Sequence, residues 1–244
     1  MEYDYSSKEQ CILACVTNGL ALQHVKQQTE EICKIACAQN GCVLYYVNEQ
    51  TEEICKIACA QNGEALQYVR EQTEEICKIA CAQNGKALQY VKQQTEEICK
   101  IACAHNCLTL CYVNEQTEEI CKIACAHNGH NLRYVRKQTE ELCKIACAQH
   151  GYNLRYVRKQ TPDICEIACK HYDYALHLCT NITFNCLALV KADDLIYIYI
   201  NYLSKSNKSR VRELAITRAN WNVFVNGTRN MLCADIYDHI KQFI

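Results

Sequence analysis

Proline and glycine are scarce in this sequence, with one proline and seven glycines among 244 residues. Counts this low argue against a loop-rich or disordered chain. Neither sign of charge is in excess, since the net charge is −1 at pH 7, and the chain as a whole has no electrostatic bias toward nucleic acid or membranes. Half of the residues are apolar, which is enough to form the core of an ordinary globular protein.

Long apolar runs are absent as well. The longest run, LIYIYINYL at 195–203, is too short to cross a bilayer as a helix. The first ten residues, MEYDYSSKEQ, are polar and acidic and do not form a signal peptide pattern. The 22 cysteines would indicate a disulfide scaffold in a short secreted chain, but no export signal accompanies them. We therefore expect a cytoplasmic protein in a reducing compartment.

The most informative feature is an internal repeat. The segment TEEICKIACAQNG at 29–41 recurs unchanged at 51–63 and 73–85. Eight Cys-x3-Cys pairs follow one another at a constant period of 22 residues, namely Cys11/Cys15, Cys33/Cys37, Cys55/Cys59, Cys77/Cys81, Cys99/Cys103, Cys121/Cys125, Cys143/Cys147 and Cys165/Cys169. A fixed period over eight units is the signature of a repeat architecture. We number these units as repeats one to eight, with the first beginning at Ser7.

Each repeat carries a helix start signal. Every repeat after the first begins with threonine, and threonine and serine are both good N-cap residues. Glu30 stands in the first turn, where it suits the helix dipole, and it precedes Lys34 by four residues, the favourable order for a surface ion pair. Pro162 directly follows Thr161, at the first helical position, where its missing N–H has no cost. These signals predict an α-helix at the start of every repeat.

A glycine follows that helix in six repeats, at Gly19, Gly41, Gly63, Gly85, Gly129 and Gly151. We expect it to be the left-handed residue that ends the helix. Cys107 and Asp173 occupy this position in repeats five and eight, where each should cost about 1 kcal/mol if the geometry is kept. A second short helix follows, such as 64–72, with Leu66 and Val69 on its apolar stripe.

The apolar surface of the first helix is so wide that more than one neighbouring helix must pack against it. We therefore predict an all-α fold, an α-solenoid of eight 22-residue αα-hairpin repeats. The predicted organisation is an N-terminal lead-in at 1–6, eight repeats at 7–182 and a C-terminal cap at 183–244. Residues 183–194 resemble a decayed ninth first helix, residues 195–225 read equally as strand or helix, and 231–244 reads as a final amphipathic helix.

The string QTEEICKIACAQNG, followed after one residue by ALQYV, resembles short tandem repeats in proteins of mimivirus-type giant viruses that infect amoebae. The resemblance covers residues 7 to about 182. Departures at Cys107, His150, Tyr172 and Asp173 leave the repeat pattern intact. The resemblance implies a helical repeat protein of unknown function, made in the cytoplasm of an infected cell, with the virion as an alternative location.

The paired cysteines raise the question of a metal. Cysteines four apart lie on one helix face, and pairs from adjacent repeats could form a four-sulfur zinc site or a redox centre. The alternative is that each cysteine fills a tight helix seam as a small apolar side chain. The pair stands among Ile and Ala in every repeat, so we favour core packing and expect no metal and no cofactor. Four cysteines off this pattern are candidates for exposed, reactive thiols: Cys42, Cys107, Cys111 and Cys179.

No P-loop, dinucleotide fingerprint or nucleophile elbow is present, so we predict no catalytic residue and no enzyme activity.

A basic patch is the second binding candidate, because NLRYVRKQ at 131–138 is followed by its copy NLRYVRKQ at 153–160. Residues 117–160 hold eight basic and four acidic side chains, a net charge of +4. We place each basic triplet on one helical face, where two rows could bind the phosphates of a nucleic acid.

A tyrosine recurs in the second helix of six repeats, where we favour ring packing over stacking on a ligand. Two positions of that helix vary between repeats, one running Leu20, Cys42, Glu64, Lys86, Leu108, His130, Tyr152, Tyr174 and the other Gln23, Tyr45, Gln67, Gln89, Cys111, Arg133, Arg155, His177. We therefore predict a non-enzymatic scaffold that binds a protein partner through this face, with nucleic acid or a second copy of the chain as alternatives and no membrane partner. The candidate contact residues are Arg133, Arg136, Lys137, Arg155, Arg158, Lys159, Tyr152 and Tyr45.

Overall fold

The computed structural model describes residues 7–106, 108–190, 194, 197–198 and 201–214. All regular secondary structure in this part of the chain is helical, and it contains no strand. Units of an α-helix and a shorter helix recur about every 22 residues and stack on their neighbours in sequence. The prediction of an all-α solenoid is confirmed. The lead-in at 1–6, Cys107 and the predicted helix at 231–244 lie outside the described residues.

The first helix of each repeat begins where its N-cap residue predicts. The α-helices are α1 (Lys8–Thr17), α2 (Glu30–Gln39), α3 (Glu52–Gln61), α4 (Glu74–Gln83), α5 (Glu96–His105), α6 (Glu118–His127), α7 (Glu140–Gln149), α8 (Pro162–His171) and α9 (Phe184–Leu189). In α3, the Thr51 hydroxyl accepts a hydrogen bond from the Ile54 N–H at 3.4 Å. Lys56 pairs with Glu52 at 3.0 Å, one turn away on the helix surface. Pro162 opens α8 as predicted.

The second helix is a 3-10 helix rather than an α-helix. These helices are η1 (Gly19–His24), η2 (Gly41–Tyr46), η3 (Gly63–Tyr68), η4 (Gly85–Tyr90), η5 (Thr109–Tyr112), η6 (Gly129–Tyr134), η7 (Gly151–Tyr156) and η8 (Asp173–Leu178). In η3, the Val69 N–H donates to the Leu66 carbonyl at 3.2 Å, and Val69 itself is extended (φ −71°, ψ 118°). The element is thus shorter than the nine residues predicted, and six residues suit the tight 3-10 geometry.

The recurring glycine does not end the α-helix in a left-handed conformation, so that prediction was wrong. None of the six glycines at this position has a φ in the left-handed region, and the preceding Asn62 is extended (φ −147°, ψ 111°). Gly63 is instead the first residue of η3, where it lies against the α-helix of the next repeat. A Cβ built there would lie 2.4 Å from the carbonyl oxygen of Ala80. Glycine is therefore required because the neighbouring α-helix approaches too closely for any side chain.

The chain divides into two compact bodies, residues 1–127 and residues 128–244. Within each body, successive α-helices pack on one another, and α2 to α5, α7 and α8 also pack on the 3-10 helices of their own and the preceding repeat. The core positions of repeat three are typical: the buried side chains are those of Ile54, Cys55, Ala58, Cys59, Ala65, Leu66 and Val69. These are the positions that the apolar pattern predicts, so the core of each body is a two-layer stack.

Within each body, glutamine side chains bridge neighbouring repeats. The Nε2 of Gln50 donates to the Tyr68 carbonyl at 3.0 Å, and its Oε1 accepts from the Arg70 N–H at 3.0 Å. Equivalent bridges are made by Gln28, Gln72, Gln94, Gln138 and Gln160. Because these bonds satisfy backbone groups that follow the 3-10 helix, they fix the spacing of neighbouring repeats.

In the second body, α9 stands where a ninth first helix is predicted, with Thr183 as its N-cap. Residues 194, 197–198, 201 and 205–214 are helical, which favours helix over strand in the described part of 195–225. The assignment of 183–244 as a cap stays a prediction. Within the described residues, no helix is both long and apolar enough to span a membrane.

Candidate functional site

The two variable positions of the 3-10 helices lie on the surface. No described residue of either series is buried, and Tyr45 is the most open of the large apolar side chains, with 64% of its surface exposed. The α-helices vary little by comparison, both at buried positions such as Ile54 and Ala58 and at exposed positions such as Glu53. Variation between repeats is therefore concentrated on the solvent side of the 3-10 helices.

Arginine and tyrosine side chains stack together on this face in the second body. The guanidinium carbon of Arg133 lies 4.9 Å from the ring centroid of Tyr134 and 6.0 Å from that of Tyr156. Arg155 lies 4.8 Å from the Tyr152 ring and 5.4 Å from the Tyr156 ring, and it donates to the Tyr152 hydroxyl. Two cations thus approach one aromatic ring, whose electron-rich face stabilises both.

The aromatic rings continue beyond this cluster toward the end of the second body. Tyr152 contacts Tyr172 with ring centroids 6.1 Å apart, and Tyr172 contacts Tyr174 at 5.7 Å. Tyr174 in turn meets Tyr202 at 6.2 Å. Sequence reasoning missed Tyr172 as a site residue, because it replaces the asparagine that caps other 3-10 helices. We call Arg133, Arg155, Tyr152, Tyr156, Tyr172 and Tyr174 the Arg–Tyr strip.

The other basic candidates are placed differently. Arg133, Arg136 and Lys137 do not share a helical face, because η6 ends at Tyr134 and the next residue, Val135, is extended (φ −67°, ψ 119°). Arg136 and Lys137 lie in the exposed bend that follows, and Lys159 occupies the same bend one repeat later. The predicted basic rows are therefore broken by the short length of the 3-10 helix.

Arg158 connects two repeats. Its Nη1 donates to the Arg136 carbonyl at 2.7 Å and its Nη2 donates to the Val135 carbonyl at 3.0 Å. Arg70 makes the same pair of bonds to the carbonyls of Asn48 and Val47 in the first body. Arg158 thus has a structural role, and its predicted role in partner binding stays a prediction.

In the first body, Tyr45 forms a smaller aromatic patch. Its ring meets Tyr46 edge-on at 5.2 Å and Tyr68 at 5.5 Å. Unlike the Arg–Tyr strip, this patch has no arginine stacked on it among the described contacts. Tyr46 and Tyr68 are half-buried, as favoured for the repeated tyrosine, while Tyr45 stands open to solvent.

The paired cysteines of the regular repeats are core residues. Cys59 has no exposed surface, and burial raises the pKa of its thiol to about 12. The pKa of the second cysteine is likewise raised to about 12 at Cys37, Cys81, Cys103 and Cys147. The first cysteine of the pair, Cys55, donates its S–H to Gln50 Oε1 at 3.8 Å. Neutral, buried thiols of this kind are poor nucleophiles.

The off-pattern cysteines are not all exposed. Cys111 is exposed, and its thiol donates to the Leu108 carbonyl at 2.9 Å. Cys42 is half-buried and accepts a hydrogen bond from Asn62 Nδ2 at 3.1 Å. Cys179 is buried, so the prediction of an exposed thiol there was wrong. The physical reason is that Cys179 takes the place of a core valine of the other repeats.

Cys179 belongs to a cluster with Cys169 and Cys186, which we call the thiol cluster. The three sulfur atoms lie within 4.8 Å of one another, and Cys169 Sγ is 3.7 Å from Cys179 Sγ. Hydrogen bonds from Cys169 and Cys179 lower the pKa of Cys186, while hydrogen bonding to Cys165 and Cys169 raises that of Cys179. No second group of three potential metal-ligating side chains is this close among the described residues.

Comparison with protein families adds one match. The profile of a family described as "Domain of unknown function (DUF4116)" matches residues 51–95, which span repeats three and four. Neither a curated protein nor a solved structure matches the chain. The match is consistent with an uncharacterised helical repeat protein, and it assigns no function.

Proposed function

We propose that this protein is a non-enzymatic scaffold that binds a protein partner through the exposed face of its 3-10 helices. The observation that carries the proposal is that the repeats differ on the exposed side of the 3-10 helices, whereas the α-helices of repeats two to four are identical, even at exposed positions such as Glu53. Repeat proteins use such extended faces for binding.

The Arg–Tyr strip is the proposed centre of this interface. Tyrosine and arginine are the residues most enriched at energetic hot spots of protein interfaces, since each combines a large apolar area with hydrogen-bonding groups. Arg155 is held against Tyr152 and Tyr156 before any partner binds. A pre-organised side chain loses less conformational freedom on binding, so the strip is better suited to a partner than isolated surface lysines.

The resemblance to giant-virus repeats is the support for a viral setting of this scaffold. We propose that it acts in the cytoplasm of an infected cell and holds a viral or host protein there. The virion is the alternative location. Immunolocalisation in infected amoebae distinguishes the two, because a virion protein would remain with purified particles.

The test is a double substitution, Arg133→Gln and Arg155→Gln. Repeats three and four carry Gln67 and Gln89 at these positions, so the variant introduces residues that the repeat already accepts. We expect the variant to unfold at the same temperature as the wild type and to lose its partner in cross-linking capture from nuclease-treated lysate of infected cells. The matched control, Lys86→Gln in the first body, should retain the partner. Unchanged capture by the double variant would contradict the proposal.

Nucleic acid is the second candidate, because the two guanidinium groups beside Tyr156 could bind phosphates while the ring stacks on a base. Fluorescence anisotropy with labelled single- and double-stranded oligonucleotides at two salt concentrations tests it. Tight binding that weakens with salt and is lost in the double variant would replace the protein-partner proposal.

A second copy of the chain is the remaining candidate partner. A molecular mass that rises with protein concentration in light scattering would identify it.

A further inference from the structure

Two cysteines near the end of the repeat array replace aliphatic core residues. At the position of Cys179, the seven preceding repeats all carry valine: Val25, Val47, Val69, Val91, Val113, Val135 and Val157. At the position of Cys186, helices α2 to α8 carry isoleucine or leucine: Ile32, Ile54, Ile76, Ile98, Ile120, Leu142 and Ile164. Each change removes apolar volume from a packed core, which costs stability unless something else fills the space.

Both replacements converge on the same buried spot. Cys179 follows η8, Cys186 lies on α9, and both reach Cys169 of α8, so three separate elements meet at their sulfur atoms. At most 1% of any of these three side chains is exposed. A fourth thiol, Cys165, lies one turn before Cys169 on α8 and is fully buried, and its S–H donates to Gln160 Oε1 at 3.5 Å.

We propose that Cys169, Cys179 and Cys186 bind a zinc ion, and that the Cys165 side chain turns away from Gln160 to supply the fourth ligand. This site is independent of the proposed partner surface. Zinc is bound by cysteine at Zn–S distances of about 2.3 Å, and in a tetrahedral site this places the sulfur atoms about 3.8 Å apart. The observed 3.7 Å between Cys169 Sγ and Cys179 Sγ matches that separation. The other two distances within the trio are at most 4.8 Å, so small side-chain rotations complete the site.

The surroundings of the cluster also suit a zinc–thiolate site. The Thr183 hydroxyl donates to Glu166 Oε1 at 2.8 Å and accepts a hydrogen bond from the Cys186 N–H at 3.2 Å, which fixes the backbone of this ligand. Asn207 Nδ2 donates to the Cys179 carbonyl at 3.1 Å and holds the backbone that carries this ligand. Hydrogen bonds of this kind orient metal ligands. We infer that the zinc ion fastens α9 and the segment after η8 onto α8.

The experiment uses the full chain, purified under reducing conditions and freed of metal. Titration with Co²⁺ should give one equivalent with the thiolate charge-transfer absorption and visible bands of a tetrahedral sulfur site, and Zn²⁺ should displace it. The variant Cys179→Val with Cys186→Ile restores the residues of the other repeats. We expect it to keep its helical circular dichroism and to bind Zn²⁺ more than about 100-fold more weakly, since even outer hydrogen-bond partners are worth about 10–100-fold.

Two further readouts keep the proposal testable if that variant folds poorly. In the wild type, Zn²⁺ should protect Cys169, Cys179 and Cys186 from alkylation. These thiols are buried while α9 is packed, so removal of Zn²⁺ should make them reactive by releasing α9 from α8. The control Cys59→Ala removes a thiol from a regular repeat and should retain one equivalent of metal. Failure of the reduced wild type to bind Zn²⁺, retention of the ion by the double variant, or a Cys169–Cys179 disulfide that persists in reductant would each overturn the proposal.

Discussion

Cys81 in repeat four and Cys169 in repeat eight occupy the same position of their α-helices, but their surroundings differ. The positions equivalent to Cys179 and Cys186 hold Val91, at the end of repeat four, and Ile98, in the first helix of repeat five. Cys81 is a neutral, buried thiol whose pKa burial raises to about 12. Cys169 instead has another sulfur 3.7 Å away. The comparison teaches that one motif has two roles, because the neighbouring core residues, and not the Cys-x3-Cys spacing, decide whether a thiol packs or binds.

The largest effect expected in a regular repeat is that of a side chain at Gly63. In Gly63→Ala, the new Cβ would lie 2.4 Å from the Ala80 carbonyl oxygen, so the two repeats must move apart. We expect the free energy of unfolding to fall by about 3 kcal/mol in urea titrations. In repeat eight the equivalent residue is Asp173, and the residue equivalent to Ala80, Val190, is extended beyond the end of α9.

Asp173→Ala is therefore the matched control for this position, and it should change the free energy of unfolding by less than about 1 kcal/mol. Equal losses at Gly63 and Asp173 would contradict the explanation from close helix approach.

The glutamine bridge should contribute equally in regular and terminal repeats. In Gln72→Ala, the Tyr90 carbonyl and the Lys92 N–H lose their partner, and in Gln160→Ala the same happens to Leu178 and Thr180. We expect each variant to lose about 1–2 kcal/mol, since the partly buried carbonyl loses its partner, whereas the exposed N–H can bond to water. Thermal and urea unfolding measure the loss, and a loss confined to Gln72→Ala would show that the terminal repeat is held by other contacts.

The smallest effect, at moderately alkaline pH, is a dependence of stability on pH through the buried cysteines of the regular repeats. The folded pKa of Cys59 is about 12, above the ordinary value of about 8.5 that the unfolded chain would have. The unfolded state therefore binds fewer protons above pH ~8.5, so stability is intact below that pH and falls as the pH rises toward the folded pKa. Each such thiol contributes at most about 1.4 kcal/mol per pH unit.

Cys59→Ala removes this contribution, so its free energy of unfolding should fall less steeply than that of the wild type across this pH window. Urea titrations of both proteins at several alkaline pH values give the two slopes. Identical slopes would show that Cys59 ionises equally well in the folded and unfolded chain.

Local signals in the sequence were sufficient for the α-helices. Thr51, Glu52, Lys56 and Pro162 act within one helical turn, so their roles follow from spacing alone. The buried face was also predictable, because Ile54 and Ala58 follow a helical period.

The errors concern contacts between repeats. The role of Gly63 depends on a carbonyl 17 residues away, and Arg158 depends on the backbone of the preceding repeat. The Gln50 bridge was missed for the same reason, although a glutamine precedes almost every threonine cap and could have indicated it. Spacing within one repeat carries no information about such partners.

The sequence contains a signal for the thiol cluster, namely cysteines at positions that hold valine or isoleucine in other repeats. The regular Cys-x3-Cys spacing draws attention away from this signal. The Cys-x3-Cys spacing marks Cys179 only as a cysteine outside the paired positions. Aligning the repeats by position, rather than by cysteine pair, shows that Cys179 and Cys186 both stand at core positions. Their proximity to Cys169 could not be derived, because it depends on where the short α9 packs.

Residue-by-residue thiol alkylation of the native, reduced protein, followed by mass spectrometry, tests the central claim most directly. The account predicts rapid modification of Cys111, slower modification of Cys42, and protection of the buried pairs until the chain unfolds. Within the C-terminal body, Cys169, Cys179 and Cys186 should be protected when Zn²⁺ is present and should react after it is removed. Modification of Cys59 and Cys81 as fast as Cys111, or reactivity of the cluster that ignores Zn²⁺, would contradict the two roles assigned to the same motif.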